Sequence, residues 1–253
     1  MEMCVLGSGS AGNSSLLRID GQAMLIDAGF GPRAILKRLT GTGVTVADLR
    51  AILLTHLDLD HFQPTWIRAA LKHRIPIYCA KQHEHALYRN LKQAGGDARL
   101  LRREGLLETF DTQPFGLMLD QQVVAVRPIP LAHDRTGTFG YVLKHGQHRL
   151  GYATDLGCTP DHLLDALADV DVLAIESNYD RRMEEASDRP WRLKQRVMGG
   201  AGHLSNDEAL AAVRQVMQRS SRPPRHLVLL HLSRQCNDPA VVRALYHADP
   251  NLA

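Results

Sequence analysis

The sequence predicts a mixed α/β fold, two sheets with helices outside them, and three observations carry that reading. Short apolar runs bounded by turn residues recur along the chain as far as position 230, as buried strands require. In each half, hairpin-like strands come first, and strands then alternate with segments of helical length and period. A side chain able to bind metal or move a proton repeatedly follows an apolar run: Asp27, His56, His133, Asp155 and His231. Strand ends of packed sheets gather on one edge, where residues distant in sequence can be collected.

Residues 3–6 read as a first strand and run into Gly7-Ser8-Gly9-Ser10-Ala11-Gly12. This is a formal match to a dinucleotide-binding glycine loop, with Asp27 at the distance of a ribose-binding carboxylate. The context excludes that use. Residues 13–19 are strand-like, Asp20-Gly21 is a hairpin turn and residues 23–26 are a second strand, where a helix is required. No lysine stands before Ser or Thr as in a nucleotide P-loop, which leaves the loop to line a site with backbone N–H groups. Residues 32–39 read as a short helix, and 46–48 lead into a strand at 51–54. A helix at 64–73, a strand at 75–79 and a helix at 82–93, closed by Gly95-Gly96, follow. His73, His83 and His85 sit on helix faces without acidic partners and are expected at the surface.

Residues 106–126 read as several strands, of which 123–126 is the clearest, and the run 129–132 ends at His133. Residues 139–143 and 149–153 form a hairpin around His145-Gly146 and deliver Asp155. A helix at 160–167 precedes a strand at 172–175, which ends in Glu176-Ser177-Asn178. From 180 to 196 the chain turns polar and basic. The glycine-rich turn 199–202 leads through His203 into a helix ending near 217, with Ser205 or Asn206 as N-cap and Glu208 completing a capping box. Residues 226–230 are the last buried strand, ending at His231. With no repeat, linker or low-complexity stretch in between, residues 1–253 are expected to be one domain.

A hydrophobic content of 44% with 23% charge suits a globular chain with a sizeable core. No apolar run approaches the roughly 18–20 residues of a membrane span, and the N-terminus has no signal-peptide pattern, so a cytoplasmic location is expected. Cys4, Cys79, Cys158 and Cys236 are scattered and form no CxxC pair; they are expected as reduced, mostly buried thiols. The formal charge of +3 permits an anionic substrate without pointing by itself to nucleic acid.

The densest chemistry lies in Thr55-His56-Leu57-Asp58-Leu59-Asp60-His61, directly after Ala51-Ile52-Leu53-Leu54. Four metal-capable side chains follow a buried strand within a few residues, so each is held at its base by the sheet. Imidazole and carboxylate together suit divalent ions such as zinc or manganese. With His133, Asp155 and His231 the donors suffice for two ions sharing a carboxylate, an arrangement that holds a hydroxide and neutralises charge on a transferring phosphoryl group.

The ordered set resembles the metallo-β-lactamase fold superfamily of metal-dependent hydrolases, whose fold is a four-layer αββα sandwich. The blocks GSGSAGNSS, LIDAG, ATDLG, ESNYD, PWRLKQRVMGGAGHLSN and LLHLSRQCN are similar to the YycJ/WalJ-type branch, regarded as 5′→3′ DNA exonucleases. That branch is kin to cyclic phosphodiesterases of phosphonate use and to tRNA-processing ribonucleases. The resemblance implies one divalent metal at His56, Asp58 and His133, and a second at Asp60, His61 and His231, with Asp155 bridging. It makes Asp60 and His203 the catalytic residues, His203 as general acid near the scissile phosphate, in an attack on phosphorus by a metal-bridging hydroxide. It places Asp27 behind a ligand and puts Ser205 and Asn206 behind the site or toward substrate. The implied partner is DNA or another phosphodiester.

One departure stands out. The superfamily's usual HxHxDH is HxDxDH here, so Asp58 replaces an imidazole and shifts the preference from zinc toward manganese, magnesium or iron. The alternatives are a small cyclic-phosphate phosphodiesterase, a diiron oxidoreductase lacking its flavin domain, and an inactive nucleic-acid-binding module. The segment with Arg181, Arg182, Arg189, Arg192, Lys194 and Arg196 around Trp191 offers cations and a base-stacking ring, against Glu184, Glu185 and Asp188.

Overall fold

The computed structural model of the chain describes residues 1–250 and 252. They pack as two compact units, Met1–Val126 and Arg127–Ala253.

In the first unit, β1 (Glu2–Gly7), β2 (Ser14–Ile19) and β3 (Gln22–Ile26) form an antiparallel meander. The β2–β3 turn works because Asp20 and Gly21 both take positive φ (47° and 82°), the backbone that matches the twist of a two-residue hairpin. From β3 onward the sheet is parallel, through β4 (Leu49–Leu53), β5 (Ile77–Ala80) and β6 (Leu107–Phe110), in sequential order β1 to β6. Parallel strands need crossovers, and α1 (Pro32–Arg38), α2 (Trp66–His73), α3 (Glu84–Gln93) and α4 (Ala98–Arg103) supply them. The core forms where Leu25, Ile52 and Ile77 of the sheet meet Trp66, Leu87 and Leu91 of the helices. Burying each such side chain contributes about 1.5–3 kcal/mol.

The second six-stranded sheet has the order β12-β11-β10-β9-β8-β7. The β7 (Phe115–Leu119) and β8 (Gln122–Leu131) strands pair antiparallel over positions up to Val126. In the second unit, β9 (Thr138–His145) and β10 (His148–Ala153) form a hairpin, and β11 (Val172–Glu176) and β12 (His226–Leu230) add to it in parallel. Its helices are α5 (Asp161–Ala166), α6 (Arg181–Ala186), α7 (Trp191–Val197), α8 (Asn206–Arg219) and α9 (Pro239–His247). The Ser205 hydroxyl and the Glu208 carboxylate close the expected capping box at the start of α8. Ala209, Leu210, Ala212, Val213 and Val216 of α8 are buried in one cluster with Leu163, Leu164 and Leu167. No helix among the described residues is long and apolar enough to cross a membrane.

Several expectations are corrected. The polar stretch 180–196 folds into α6 and α7, because the Asp180 side chain caps α6 at the Met183 amide and Pro190 leads into α7. Helices α4 and α9 were not expected from the sequence; each starts at an aspartate N-cap, Asp97 and Asp238. His83 is buried, 2% exposed, in a 3₁₀ turn that precedes α3. Of the cysteines, Cys79 and Cys236 are buried, whereas Cys4 and Cys158 are exposed; all four are free thiols. Burial pushes the Cys79 thiol up to about 12, with the nearby Glu84 charge adding to it. A thiol-reactive disulfide reagent at pH 8 should therefore modify Cys4 and Cys158 within minutes in the native protein, and Cys79 and Cys236 only after denaturation. Four fast-reacting thiols would contradict this packing.

Candidate metal centre

Three of the expected residues share a backbone feature that explains their reach. Asp27, Asp155 and His231 all take the left-handed conformation, with φ of 60°, 55° and 57°. Asp27 and His231 directly follow β3 and β12, and Asp155 lies two residues beyond β10. A left-handed step ends the ladder and swings the side chain out of the strand's alternation. For non-glycine residues it costs about 1–3 kcal/mol and clusters at functional sites.

In the first unit the motif loop presents four donors in two pairs. His56 Nε2 lies 3.9 Å from Asp58 Oδ2, and His61 Nε2 lies 3.9 Å from Asp60 Oδ2. Two ligands of one tetrahedral ion, with bonds of about 2.0–2.1 Å, stand roughly 3.3 Å apart, so each pair is spaced to share a cation. His56 and His61 are buried with ring centroids 4.1 Å apart, whereas the Asp58 carboxylate is half exposed.

Asp27 organises this loop from behind. Fully buried, it accepts hydrogen bonds from the Thr55 amide (2.8 Å), the Thr55 hydroxyl (2.9 Å) and His61 Nδ1 (2.8 Å). A carboxylate accepts only, so the His61 proton sits on Nδ1 and Nε2 carries the lone pair. Burial pushes the Asp27 carboxyl above the usual carboxylate range, against the pull of His61 and Thr55. The glycine loop supplies Asn13, whose Oδ1 is fixed by the Gly9 amide at 2.7 Å. Its Nδ2 lies 2.8 Å from His61 Nε2 and 3.4 Å from Asp60 Oδ2, so the amide contacts both side chains.

The second unit assembles Asp155, His203 and His231 around a residue the sequence reading passed over, Glu176, and His133 approaches the same Asp155. Ligand atoms of Asp155, Glu176, His203 and His231 all lie within 4.8 Å of one another. Glu176 is the last residue of β11 and fully buried. Its Oε1 accepts from His203 Nδ1 (2.8 Å) and His231 Nδ1 (2.9 Å), and its Oε2 from the amides of Leu156 (3.0 Å) and Leu204 (3.3 Å). Burial opposes its ionisation, but the His203 charge and the two imidazole hydrogen bonds prevail and hold the carboxyl below its usual range. Burial likewise works against a charged His203, and the Glu176 and Asp155 carboxylates override it, raising the imidazole above its ordinary value.

Asp155 Oδ1 stands 3.3 Å from His231 Nδ1 and 3.8 Å from both His133 Nε2 and His203 Nδ1. His133 Nδ1 faces the Gly202 carbonyl at 3.0 Å and therefore carries the proton, which leaves Nε2 for a metal. Ser205 is committed to capping α8, and Asn206 exchanges hydrogen bonds with Ser177 and Asn237; both side chains are buried in the helix start.

Much of the basic segment is already partnered. Arg189 pairs with Glu184 at 2.8 Å, Arg181 with Glu208 at 3.6 Å and Arg196 with Asp134. Trp191 stays 65% exposed. The residues missed by sequence reasoning are Glu176, Asn13 and Thr55. Glu176 was legible, since it is one more polar residue at the end of an apolar strand; Asn13 and Thr55 act through contacts that no spacing reveals.

Two six-stranded sheets flanked by helices, with buried imidazoles and carboxylates at their strand ends, define a metal-dependent hydrolase of α/β-sandwich fold. The chain belongs to the metallo-β-lactamase superfamily: the profile described as "Beta-lactamase superfamily domain" matches residues 22–232. Its likeness to the YycJ/WalJ branch extends over nearly the whole chain. It is 25% identical over 243 residues to "Exodeoxyribonuclease YycJ" of Bacillus anthracis, covering 96% of this chain and 86% of the relative. It is 27% identical over 234 residues to "Exodeoxyribonuclease WalJ" of Streptococcus pneumoniae serotype 2, covering 92% and 82%. Among solved structures, the metallo-β-lactamase fold protein YhfI from Bacillus subtilis superposes with a TM-score of 0.66 at 19% identity, over 96% of this chain and 90% of that one. At that identity the likeness speaks for the fold alone.

Proposed function

We propose that this chain is a metal-dependent phosphodiesterase acting on nucleic acid, and specifically a 5′→3′ DNA exonuclease. Two divalent ions, zinc or manganese before magnesium or iron, would be held by the set the resemblance implies: His56, Asp58, His133, Asp60, His61, His231 and Asp155. The donor chemistry supports this: buried imidazoles whose Nδ1–H groups donate to carboxylates or a carbonyl keep Nε2 as the metal-capable atom, the arrangement of metal-binding histidines. Bound divalent metal supplies an acidified water and a Lewis acid for the phosphoryl oxygen. A single family match running across both units supports one metallo-β-lactamase-fold domain from 1 to 253.

The observation that carries the reading is the Glu176–His203 pair. Glu176 accepts a hydrogen bond from the Nδ1–H of His203, fixes the ring and favours its charged form. His203 is therefore a proton donor through Nε2, suited to a leaving alkoxide. Its backbone comes from a glycine turn, and its amide is anchored to the Val197 carbonyl at 2.9 Å. Asp60 would act with the metals at the attacked phosphorus, and Asp27 would orient His61.

Purified protein with manganese should degrade 5′-labelled duplex DNA and hydrolyse a small phosphodiester, and chelation should abolish both. Elemental analysis should find close to two ions per chain, and restoring manganese or zinc should return the activity. Turnover of cyclic nucleotides without DNA cleavage would shift the reading to a small-molecule phosphodiesterase. DNA bound but left intact, with no metal retained, would end the enzymatic reading.

A further inference from the structure

The first unit carries a concavity, lined by none of the donors described above, with a volume of about 950 Å³. It is walled by α1, by α2 and by the Gly95-Gly96 turn that closes α3. Its lining combines aliphatic residues with three cationic side chains. Helix α1 commits only Ile35 to the core and leaves Leu36 half exposed over the groove, with Val46 and Ile67 on the other walls. Arg33, Arg68 and Lys72 line the same space, and no carboxylate does.

No acidic side chain of the groove answers these cations. Elsewhere in the unit Arg50 pairs with Asp120, Arg74 with Glu104 and Arg102 with Glu84. Among the described residues no ion pair includes Arg33, Arg68 or Lys72. Arg68 and Lys72 stand four apart on α2, so their side chains share one face, where like charges cost a few tenths of a kcal/mol. An anionic occupant would remove that repulsion while its apolar groups covered Leu36 and the partly exposed Val46.

We propose that this groove docks an acidic peptide segment of a partner protein, one that interleaves carboxylates with bulky apolar side chains. Charge complementarity selects the acidic character, and the aliphatic floor selects the apolar anchors. Single-stranded nucleic acid is the weaker fit. Its grooves pair cations with stacking rings, and no Phe, Tyr or Trp lines this one.

Fluorescence anisotropy with a fluorescein-labelled peptide of alternating Glu and Leu tests the assignment on the full chain. The peptide should bind at low salt, and its counterpart with Lys in place of Glu should not. Joint replacement Arg68→Glu and Lys72→Glu should weaken binding at least about tenfold, roughly 1.4 kcal/mol. Leu36→Asp should weaken it similarly. All three positions are exposed, so the melting temperature of both variants should stay within a few degrees of the parent. Failure of the parent to bind the peptide, or undiminished binding by both variants, would overturn the proposal. So would variants that lose labelled oligonucleotide instead, or sedimentation showing a dimer that Leu36→Asp splits, because the groove would then serve nucleic acid or a second copy.

Discussion

Replacing His203 with alanine should lower phosphodiester hydrolysis by about 10²–10⁴-fold, the usual worth of a positioned general acid, while the bound metal remains. Replacing Glu176 with glutamine should behave differently. The neutral amide oxygen can accept from both imidazoles but stabilises a charged ring less, and its N–H₂ would then face the donating amides of Leu156 and Leu204. Because Glu176 also holds Nδ1 of His231, Glu176→Gln should reduce both turnover and metal content, each by about 10–100-fold. The pair separates two roles that an activity loss alone would merge. Turnover of a small phosphodiester with a good leaving group should be spared in His203→Ala relative to DNA, since such a leaving group needs no proton. An unaltered rate on DNA for His203→Ala would remove the proton-donor assignment; unchanged metal content in Glu176→Gln would remove its hold on His231.

The largest effect on stability is expected from Gly29→Ala, in the turn that follows Asp27. A Cβ there would lie 1.8 Å from the Asp60 carbonyl oxygen and 2.7 Å from the Asn13 amide nitrogen. Both are backbone atoms, so no side-chain rotation relieves the clash. They also bond each other, Asn13 N to Asp60 O at 2.6 Å, so pushing them apart breaks the contact that seats the motif loop on the glycine loop. Overpacking of this severity costs about 3 kcal/mol or more, which for a chain of this size lowers the melting temperature by about 6–12 °C. The first unit should lose metal affinity as well, because Asp60 moves with its carbonyl. Gly21→Ala is the control: that residue has φ of 82° but nothing within 4 Å, so only the roughly 1 kcal/mol of left-handed strain applies. Equal melting temperatures for the two variants would show that the loop yields easily and that Gly29 is not a packing constraint.

Legibility in the sequence followed the range of the interaction. The hairpin at Asp20-Gly21, the capping box of Ser205 and Glu208, and the parallel strands with their crossover helices depend on neighbours a few positions away. Those could be read directly. Short helices such as α4, α6 and α7 were missed because they carry little apolar periodicity; an N-cap aspartate or a leading proline starts them, and tertiary packing keeps them. The burial of His83 escaped for the same reason, since exposure is settled by what lies on top of a helix end.

By itself the sequence determined the donors: which imidazoles and carboxylates follow which strands, and that HxDxDH exchanges an imidazole for Asp58. Only the tertiary structure decided what those donors are held by. The contacts Asp27 to His61, Asn13 to His61, and Glu176 to both His203 and His231 join positions 27 to 55 residues apart. Such distances carry no periodicity, and hydrogen bonds of that kind exist only once strand ends and left-handed turns have buried the side chains together within each unit, where a single proton's position decides which nitrogen is left for chemistry.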